Sequence, residues 1–438
     1  MSYSSAPKVE AVKKEWALNP GEEFRFEVDI KSGVTIKLLS GTAEIFGAEL
    51  GSAKEYYFTG TKLAGRCSAE YVAEETPMDS YLNVHCALHQ KRQLAADNLE
   101  GAAKNSPRII VVGPADSGKT TFTRTMINYA VRQGIPGTIS ATPITHIIDP
   151  EDGFSGYASA SSTAPPETPL VYQFGSTVPQ DNMHIYKSLV STLATSVKKR
   201  LSVDSHANSS GFIIDTHGST GESSNDVLSH IVTELSVNII LVLGSERLFS
   251  VVKRQYGGNP DITILKLVKS GGVVSRDESF MHELRSRQIR DYFYGTHNEP
   301  FSSFSSVAKF SDLNIFQPSE GKYLAGHPPI LDNNDFSNLA APSSTLPLGE
   351  NRRLKEAQLK KMEPDESLLH SLLSIQNLKP ASDEAPSEQE IICANASGFV
   401  HVTKIDVQKE RVEFLSPLPG RLPRKYLIYG KFVWIETL

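Results

Sequence analysis

From Glu15 to about Ala87, apolar and polar residues alternate in short runs closed by glycine or polar turns. Phe24-Arg25-Phe26-Glu27-Val28, Val34-Thr35-Ile36-Lys37-Leu38 and Tyr56-Tyr57-Phe58 are examples. Period two in runs this short, with turns at intervals of roughly eight to twelve residues, predicts a small all-β domain, a sandwich or a barrel. Between Gln90 and Pro107 the alternation stops in a polar, Ala/Glu/Lys-rich stretch, which predicts a linking helix or linker. From Arg108 the period changes. Ile109-Ile110-Val111-Val112 is continuously apolar, as in a strand buried on both faces of a parallel sheet. After a glycine-rich turn, Phe122, Met126, Ala130 and Val131 fall at helical spacing, with Gly134 as a stop. Gly211-Phe212-Ile213-Ile214 and the run from Val237 to Leu243 predict further buried strands, with a helix over Asp226 to Leu235 between them.

Buried strands alternating with helices indicate an α/β core over about 105–300. Beyond Tyr294-Gly295 short strands return, and a last β-rich block runs from Gly398 to Leu438. A Ser/Pro/Glu/Lys-rich stretch at about 333–388 predicts a mobile insertion. The expected domains are therefore 1–104, an all-β domain with its linker; 105–300, the α/β core; and 301–438, a small β-containing domain carrying that insertion.

Composition changes little. The 438 residues are 39% hydrophobic and 21% charged, with a net charge of −6, which argues against wholesale disorder. No apolar run approaches the roughly 20 residues of a membrane span. The first fifteen residues lack the apolar core of a secretory signal. Cys67, Cys86 and Cys393 are odd in number and widely spaced, which fits a reducing compartment and offers no metal-ligand pattern. The slight acidity means that nucleic acid, if bound, must meet a local basic patch.

The chemistry lies in Gly113-Pro114-Ala115-Asp116-Ser117-Gly118-Lys119-Thr120, which fits G-x-x-x-x-G-K-[ST]. Glycines let successive backbone N–H groups wrap a phosphate, the new helix points its positive end at it, and Lys119 reaches the β/γ-phosphates. The Thr120 hydroxyl would sit on Mg²⁺. A buried strand before and a helix after supply the context of a P-loop NTPase core. Asp215, at the end of Phe212-Ile213-Ile214-Asp215, is placed to hold magnesium through water. Asp215-Thr216-His217-Gly218 also fits the D-x-x-G switch of GTPases, with His217 as a turn residue. A GTPase needs an N-K-x-D-like base reader in the same domain. The nearest string, Thr403-Lys404-Ile405-Asp406, lies in a distant β pattern, so that reading is disfavoured.

Arg285, Arg287 and Arg290 lie on a predicted helix with Arg276 just upstream, and are candidates either for transferring phosphoryl charge or for a solvated helix face. Lys198-Lys199-Arg200 and the Arg421 to Lys425 cluster read as surface with weak RNA-binding potential.

Several strings together resemble the Clp-type eukaryotic polynucleotide kinase family, and within it the fungal subunits of mRNA cleavage and polyadenylation factor. They are Ala43 to Leu50, Thr76-Pro77-Met78, the Val111-Val112-Gly113-Pro114 lead into the loop, Leu170 to Gly175, Lys269 to Val274 and Ile289 to Gly295. The resemblance covers nearly the whole chain in order. It implies a three-domain nuclear protein with an N-terminal β-sandwich, a central domain holding Mg-ATP and a small C-terminal domain. Members act as RNA 5′-hydroxyl kinases, or as an ATP-holding subunit of cleavage factor IA bound to its Pcf-type scaffold and working with other 3′-end processing factors. Carried over by position, Gly113 and Asp116, Ser117, Gly118, Lys119, Thr120 and Thr121 would contact the phosphates. Glu23 and Lys62 would reach the nucleotide from the first domain, and Arg285 and Arg290 match lid arginines.

Two departures bear on catalysis. The family follows the loop helix with a strand carrying an Asp, then an Ile-Pro-Gly-Thr segment. Here Gln133-Gly134 runs straight into Ile135-Pro136-Gly137-Thr138, so the sheet is expected to be one strand and one carboxylate short, as loss of a short exon would produce. Active kinases of the family also place Trp after Thr-x-Gly, where this chain has Ser219. A Ser cannot stack on a base as an indole does. The expected function is an ATP-binding subunit of the 3′-end machinery with little or no turnover, touching RNA indirectly if at all. The rival is a working 5′-kinase in which Lys119, Asp215, Arg285 and Arg290 are the catalytic candidates.

Overall fold

The computed structural model describes residues 13–28, 33–59, 67–97, 106–133, 139–141, 170–176, 178–218, 222–295, 300, 302–319, 358–378, 385–420 and 426–436. They fall into two compact units, 1–169 with 193–302, and 170–192 with 303–438.

The first unit opens with β1 (Glu23–Val28), β2 (Gly33–Lys37), β3 (Glu44–Ile45), β4 (Ala48–Glu49), β5 (Glu55–Thr59) and β6 (Cys67–Ala73). They pair antiparallel as β1–β6, β2–β5 and β3–β4. Period two puts Phe24 and Phe26 on one face. There Phe26 meets Phe58 edge-on at 5.3 Å, and Trp16 tilts against Phe24 at 4.9 Å.

The β pattern was expected to run to Ala87, but a helix, α1 (Met78–Asp97), starts at Met78. Its inward stripe holds Tyr81, Val84, Leu88 and Ala95 at i, i+3, i+7 and i+14, yet the same face buries His85 and Arg92. Polar groups on the buried side dilute the helical signal, because periodicity counts them as surface.

A five-stranded parallel sheet follows: β7 (Arg108–Val112), β8 (Ile139–Ala141), β9 (Phe212–Asp215), β10 (Ile239–Leu243) and β11 (Thr263–Leu267), in the order β11-β10-β7-β9-β8. Every neighbouring pair is parallel. Helix α2 (Lys119–Arg132) sends Phe122 and Met126 into a cluster with Tyr81, Ile109, Val111 and Leu241. Each such side chain stabilises the fold by roughly 1.5–3 kcal/mol on burial. Asn238 ties the strand starts, accepting from Arg108 N at 2.8 Å and donating to Ser106 O at 2.8 Å.

The sheet was expected to lack the strand after α2. Instead Ile139-Ser140-Ala141 pairs with β9 from Phe212 to Ile214 and becomes the edge. Three residues suffice because β9 offers an open ladder that the next extended segment can occupy. The expected carboxylate does not return with the strand, since none of the three residues is acidic.

In the second unit, β12 (Phe304–Lys309), β13 (Asn314–Ser319), β14 (Gln358–Met362), β15 (Ser371–Gln376), β16 (Ala396–Asp406), β17 (Arg411–Ser416) and β18 (Tyr426–Val433) form one sheet in the order β12-β17-β16-β15-β18-β13-β14. Leu373, Ile375, Val400, Val412, Phe414 and Leu427 build its core. Within the insertion expected over 333–388, residues 358–362 and 371–376 are strands of this sheet. Residues 333–357 and 379–384 lie outside the described residues, and β15 is buried along its whole length. Serines and polar flanks concealed Leu372, Leu373 and Ile375, a run as short as a central strand needs. Thr403 to Asp406 sit in β16, where Asp406 accepts from Lys409 N at 3.0 Å, a tight turn and not a base reader.

Among the described residues no helix is long and apolar enough to cross a membrane, and no three His, Cys, Asp or Glu side chains gather as metal ligands.

Candidate nucleotide-binding site

Strand β7 has β9 on one side and β10 on the other, so its carboxyl end opens at the crevice where ligands enter open α/β sheets. Four strand ends meet there. β7 leads into the phosphate loop, β9 ends at Asp215, β10 ends beside Gly244, and β11 runs into the segment Val268–Arg276.

Close packing explains the glycines. A Cβ on Gly113 would lie 2.7 Å from both Leu243 O and Ser117 Oγ. Gly118, with φ +86°, turns the chain into α2 so that the first helical N–H groups face the loop. Asp116 adopts φ +53°, a left-handed conformation that Asp tolerates better than most side chains. Gly218 was considered only as a switch glycine. The structure gives it a steric role, since a Cβ there would lie 2.5 Å from Ala115 N and Cα.

The candidate ligands assemble. Lys119 is 7% exposed, and its Nζ donates to Pro114 O at 2.8 Å, folding the side chain over the loop. Ser117 is buried, and its Oγ has no hydrogen-bond partner among the described residues. The Thr120 hydroxyl donates to Asp215 Oδ2, which is itself buried. Two oxygen donors in contact, one anionic, are the donor set a hard Mg²⁺ takes, so these residues fit the ion. Thr216 fixes the turn after Asp215 by donating to Val111 O at 2.7 Å. Thr121 is exposed, and its carbonyl accepts from Thr125.

One arginine dominates the rim. Arg276 donates to Asp116 from its backbone N at 3.0 Å and from Nε at 2.7 Å, and Nη2 lies 2.6 Å from Oδ1. Burial alone raises the Asp116 pKa. The Arg276 hydrogen bonds and charge, with Lys269 beyond them, bring it below the usual carboxylate value. Asp116 is thus an anion already neutralised, so it does not repel a phosphate. Sequence reasoning placed Arg276 upstream of a basic helix and missed this pairing, which spans 160 positions.

Glu23 stands on β1 beside Arg25, whose Nε donates to Glu23 Oε1 at 2.7 Å. The other oxygen, Oε2, is buried without a hydrogen-bond partner among the described residues. Burial, and after it the Glu23 charge, push the Tyr81 hydroxyl up to about 12. Tyr81 therefore remains a donor, bonding Val268 O at 3.0 Å. Lys62 lies outside the described residues.

The arginine candidates divide. Helix Glu278–Tyr294 is capped by Asp277, the residue after Arg276, and so starts at the rim. On it Arg285 is half-buried and Arg290 exposed. Five residues at about 100° each place the two roughly 140° apart around the axis, so they do not share a face. Arg287 lies 3.8 Å from Asp291.

Three family models match the chain: the P-loop of mRNA cleavage and polyadenylation factor CLP1 over residues 113–295, the pre-mRNA cleavage complex II protein Clp1 over 301–436, and the N-terminal beta-sandwich domain of polyadenylation factor over 17–95. The mRNA cleavage and polyadenylation factor clp1 of Botryotinia fuckeliana is 36% identical over 470 residues, covering 99% of this chain and 96% of its own. The zebrafish polyribonucleotide 5′-hydroxyl-kinase Clp1 is 36% identical, with 96% and 93% covered. A solved complex of Clp1p with Pcf11p (454–563) superposes with a TM-score of 0.74 at 24% identity, covering 94% of this chain and 96% of that one. A second Clp1p structure, with a TM-score of 0.74 at 24% identity, concerns an extended interface with Pcf11p and ATP loss in a glycine-to-arginine point mutant.

Proposed function

The chain belongs to the Clp1 family of mRNA cleavage and polyadenylation factors, and from that premise we propose that it is an ATP-binding subunit of the nuclear 3′-end processing machinery in which the nucleotide is a structural ligand. A Pcf11-type scaffold is the partner. One observation carries the reading: Lys119, Thr120 and Asp215 come together at the phosphate loop, while the carboxylates beside it already have hydrogen-bonded partners. Asp116 is held by Arg276, Glu23 by Arg25 and Asp215 by Thr120. The resemblance places the family's acidic residue before the Ile-Pro-Gly-Thr segment, and the edge strand β8, which follows that segment here, is Ile-Ser-Ala. A 5′-hydroxyl brought to the γ-phosphate would find Asp116 committed to Arg276 and Asp215 to Thr120, with Glu23 paired through one oxygen to Arg25.

Magnesium, held by Thr120 and Asp215, would neutralise phosphate charge. Lys119 and the N–H groups at the start of α2 would hold the phosphates, and Glu23 Oε2 is an acceptor suited to an N–H of the base. A ligand bound only by the folded chain stabilises it by mass action, about 4 kcal/mol at a thousandfold excess over Kd. Since β1 and the loop belong to one unit, that stabilisation extends to the first domain.

Capture by an immobilised Pcf11-type fragment should therefore depend on nucleotide. Protein stripped of nucleotide should bind about tenfold more weakly and regain affinity on adding Mg-ATP or a non-hydrolysable analogue. Equal affinity with and without nucleotide would remove the structural role.

The kinase reading of the zebrafish relative keeps one supporting feature, an intact Lys119–Thr120–Asp215 set.

A further inference from the structure

The segment Val268–Arg276 meets α1, β1 and the phosphate loop. Tyr81 of α1 holds its start at Val268 O. Its middle lies against Arg25: a Cβ on Gly271 would come 2.9 Å from Arg25 Nη1, and one on Gly272 would come 3.1 Å from Cδ and 3.2 Å from Nε. Val273 Cγ2 lies 3.1 Å from where a Cβ on Gly118 would be. Its end is the Arg276–Asp116 pair. Arg25 is fixed in turn, donating to Glu23 and, through Nη2, to Glu75 O at 2.9 Å.

From this geometry, and resting on the nucleotide reading above, we propose that Arg25 and Arg276 are positioning residues for nucleotide retention. Together they make Val268–Arg276 a strap joining the phosphate loop to the first domain. Neither needs to touch the nucleotide. Arg276 sets the left-handed turn at Asp116 and cancels its charge, while Arg25 supports the strap from β1 and orients Glu23. A nucleotide seated under a strap fixed at both ends leaves only after one end opens. The strap therefore governs the dissociation rate more than the association rate.

The pairing at Asp116 is charge-assisted, and its loss corresponds to about a tenfold change or more. Dissociation of a fluorescent ATP analogue with Mg²⁺ from the full chain tests this. Arg276→Met, Arg25→Met and Gly272→Ala are each expected to speed release about tenfold with little change in the association rate. Arg276→Lys should recover part of the loss, because it returns a charge to Asp116 without the fork. Since one strap carries both ends, Arg25→Met combined with Arg276→Met should fall well short of the product of the single effects. A merely structural role would give additive effects and would slow association as well. Release rates within twofold of the unsubstituted chain, or fully multiplicative effects, overturn the strap. If the unsubstituted chain itself fails to bind the analogue, the nucleotide reading falls and the strap with it.

Discussion

Substituting Lys119 by Ala is expected to strip the chain of nucleotide while leaving its fold in place. The side chain is 7% exposed, and its Nζ donates to a loop carbonyl, Pro114 O. Its ammonium is the cation that the loop carries at the start of α2. Charge-assisted hydrogen bonds of this kind contribute about 1.5–3 kcal/mol each, so Mg-ATP affinity should fall ten- to hundredfold. No hydrophobic core contact depends on the ammonium, so the melting temperature without nucleotide should stay close to that of the unsubstituted chain. The rise in melting temperature on adding Mg-ATP should disappear. Calorimetric titration together with thermal melts separates the two effects. A variant that binds as tightly as the original would mean the loop holds phosphate by its backbone alone.

A comparable loss is expected from a single methyl group at Gly218. The turn after Asp215 runs so close to the loop that a Cβ there would sit 2.5 Å from Ala115 N and Cα and 3.0 Å from Pro114 C. All three atoms are backbone, so no side chain can rotate away. The loop must move, and with it the N–H groups aimed at the phosphate. Overpacking costs about 1–3 kcal/mol in typical cores, and here the displacement falls on the ligand-binding backbone. Gly218→Ala should therefore weaken nucleotide binding by at least about tenfold. Gly258→Ala is the control, because a Cβ there meets nothing within 4 Å. If Gly218→Ala bound nucleotide normally, the close approach of this turn to the loop would be irrelevant to function.

The central domain was legible because its signals are local. A continuous apolar run, a fixed glycine spacing and a helical period lie within 25 residues of one another, from Arg108 to Arg132. Asp215 was legible as the end of a second such run. What failed to show depends on distance. The Arg276–Asp116 pair spans 160 positions, and neither residue type is unusual where it stands. Gly218 could be seen as a motif letter, but its steric purpose appears only once β9 lies beside β7. The first part of helix α1, before the linking helix read from Gln90, was concealed by His85 on its buried face, and β15 by the polar composition around it. β8 shows a further limit. Absence of a motif strand predicted an incomplete sheet, yet the open edge of β9 recruited the next extended residues. Hydrogen-bonding demand filled the position without restoring its chemistry.

Whether the nucleotide is a ligand or a reactant is decided by following its γ-phosphate. The purified full chain, passed through gel filtration, should carry close to one ATP per molecule. Incubated with γ-labelled ATP, Mg²⁺ and an RNA oligonucleotide bearing a 5′-hydroxyl, it should leave the RNA unlabelled over hours. Label appearing on the RNA with the unsubstituted chain and vanishing with Lys119→Ala would contradict the structural-ligand account and establish a kinase.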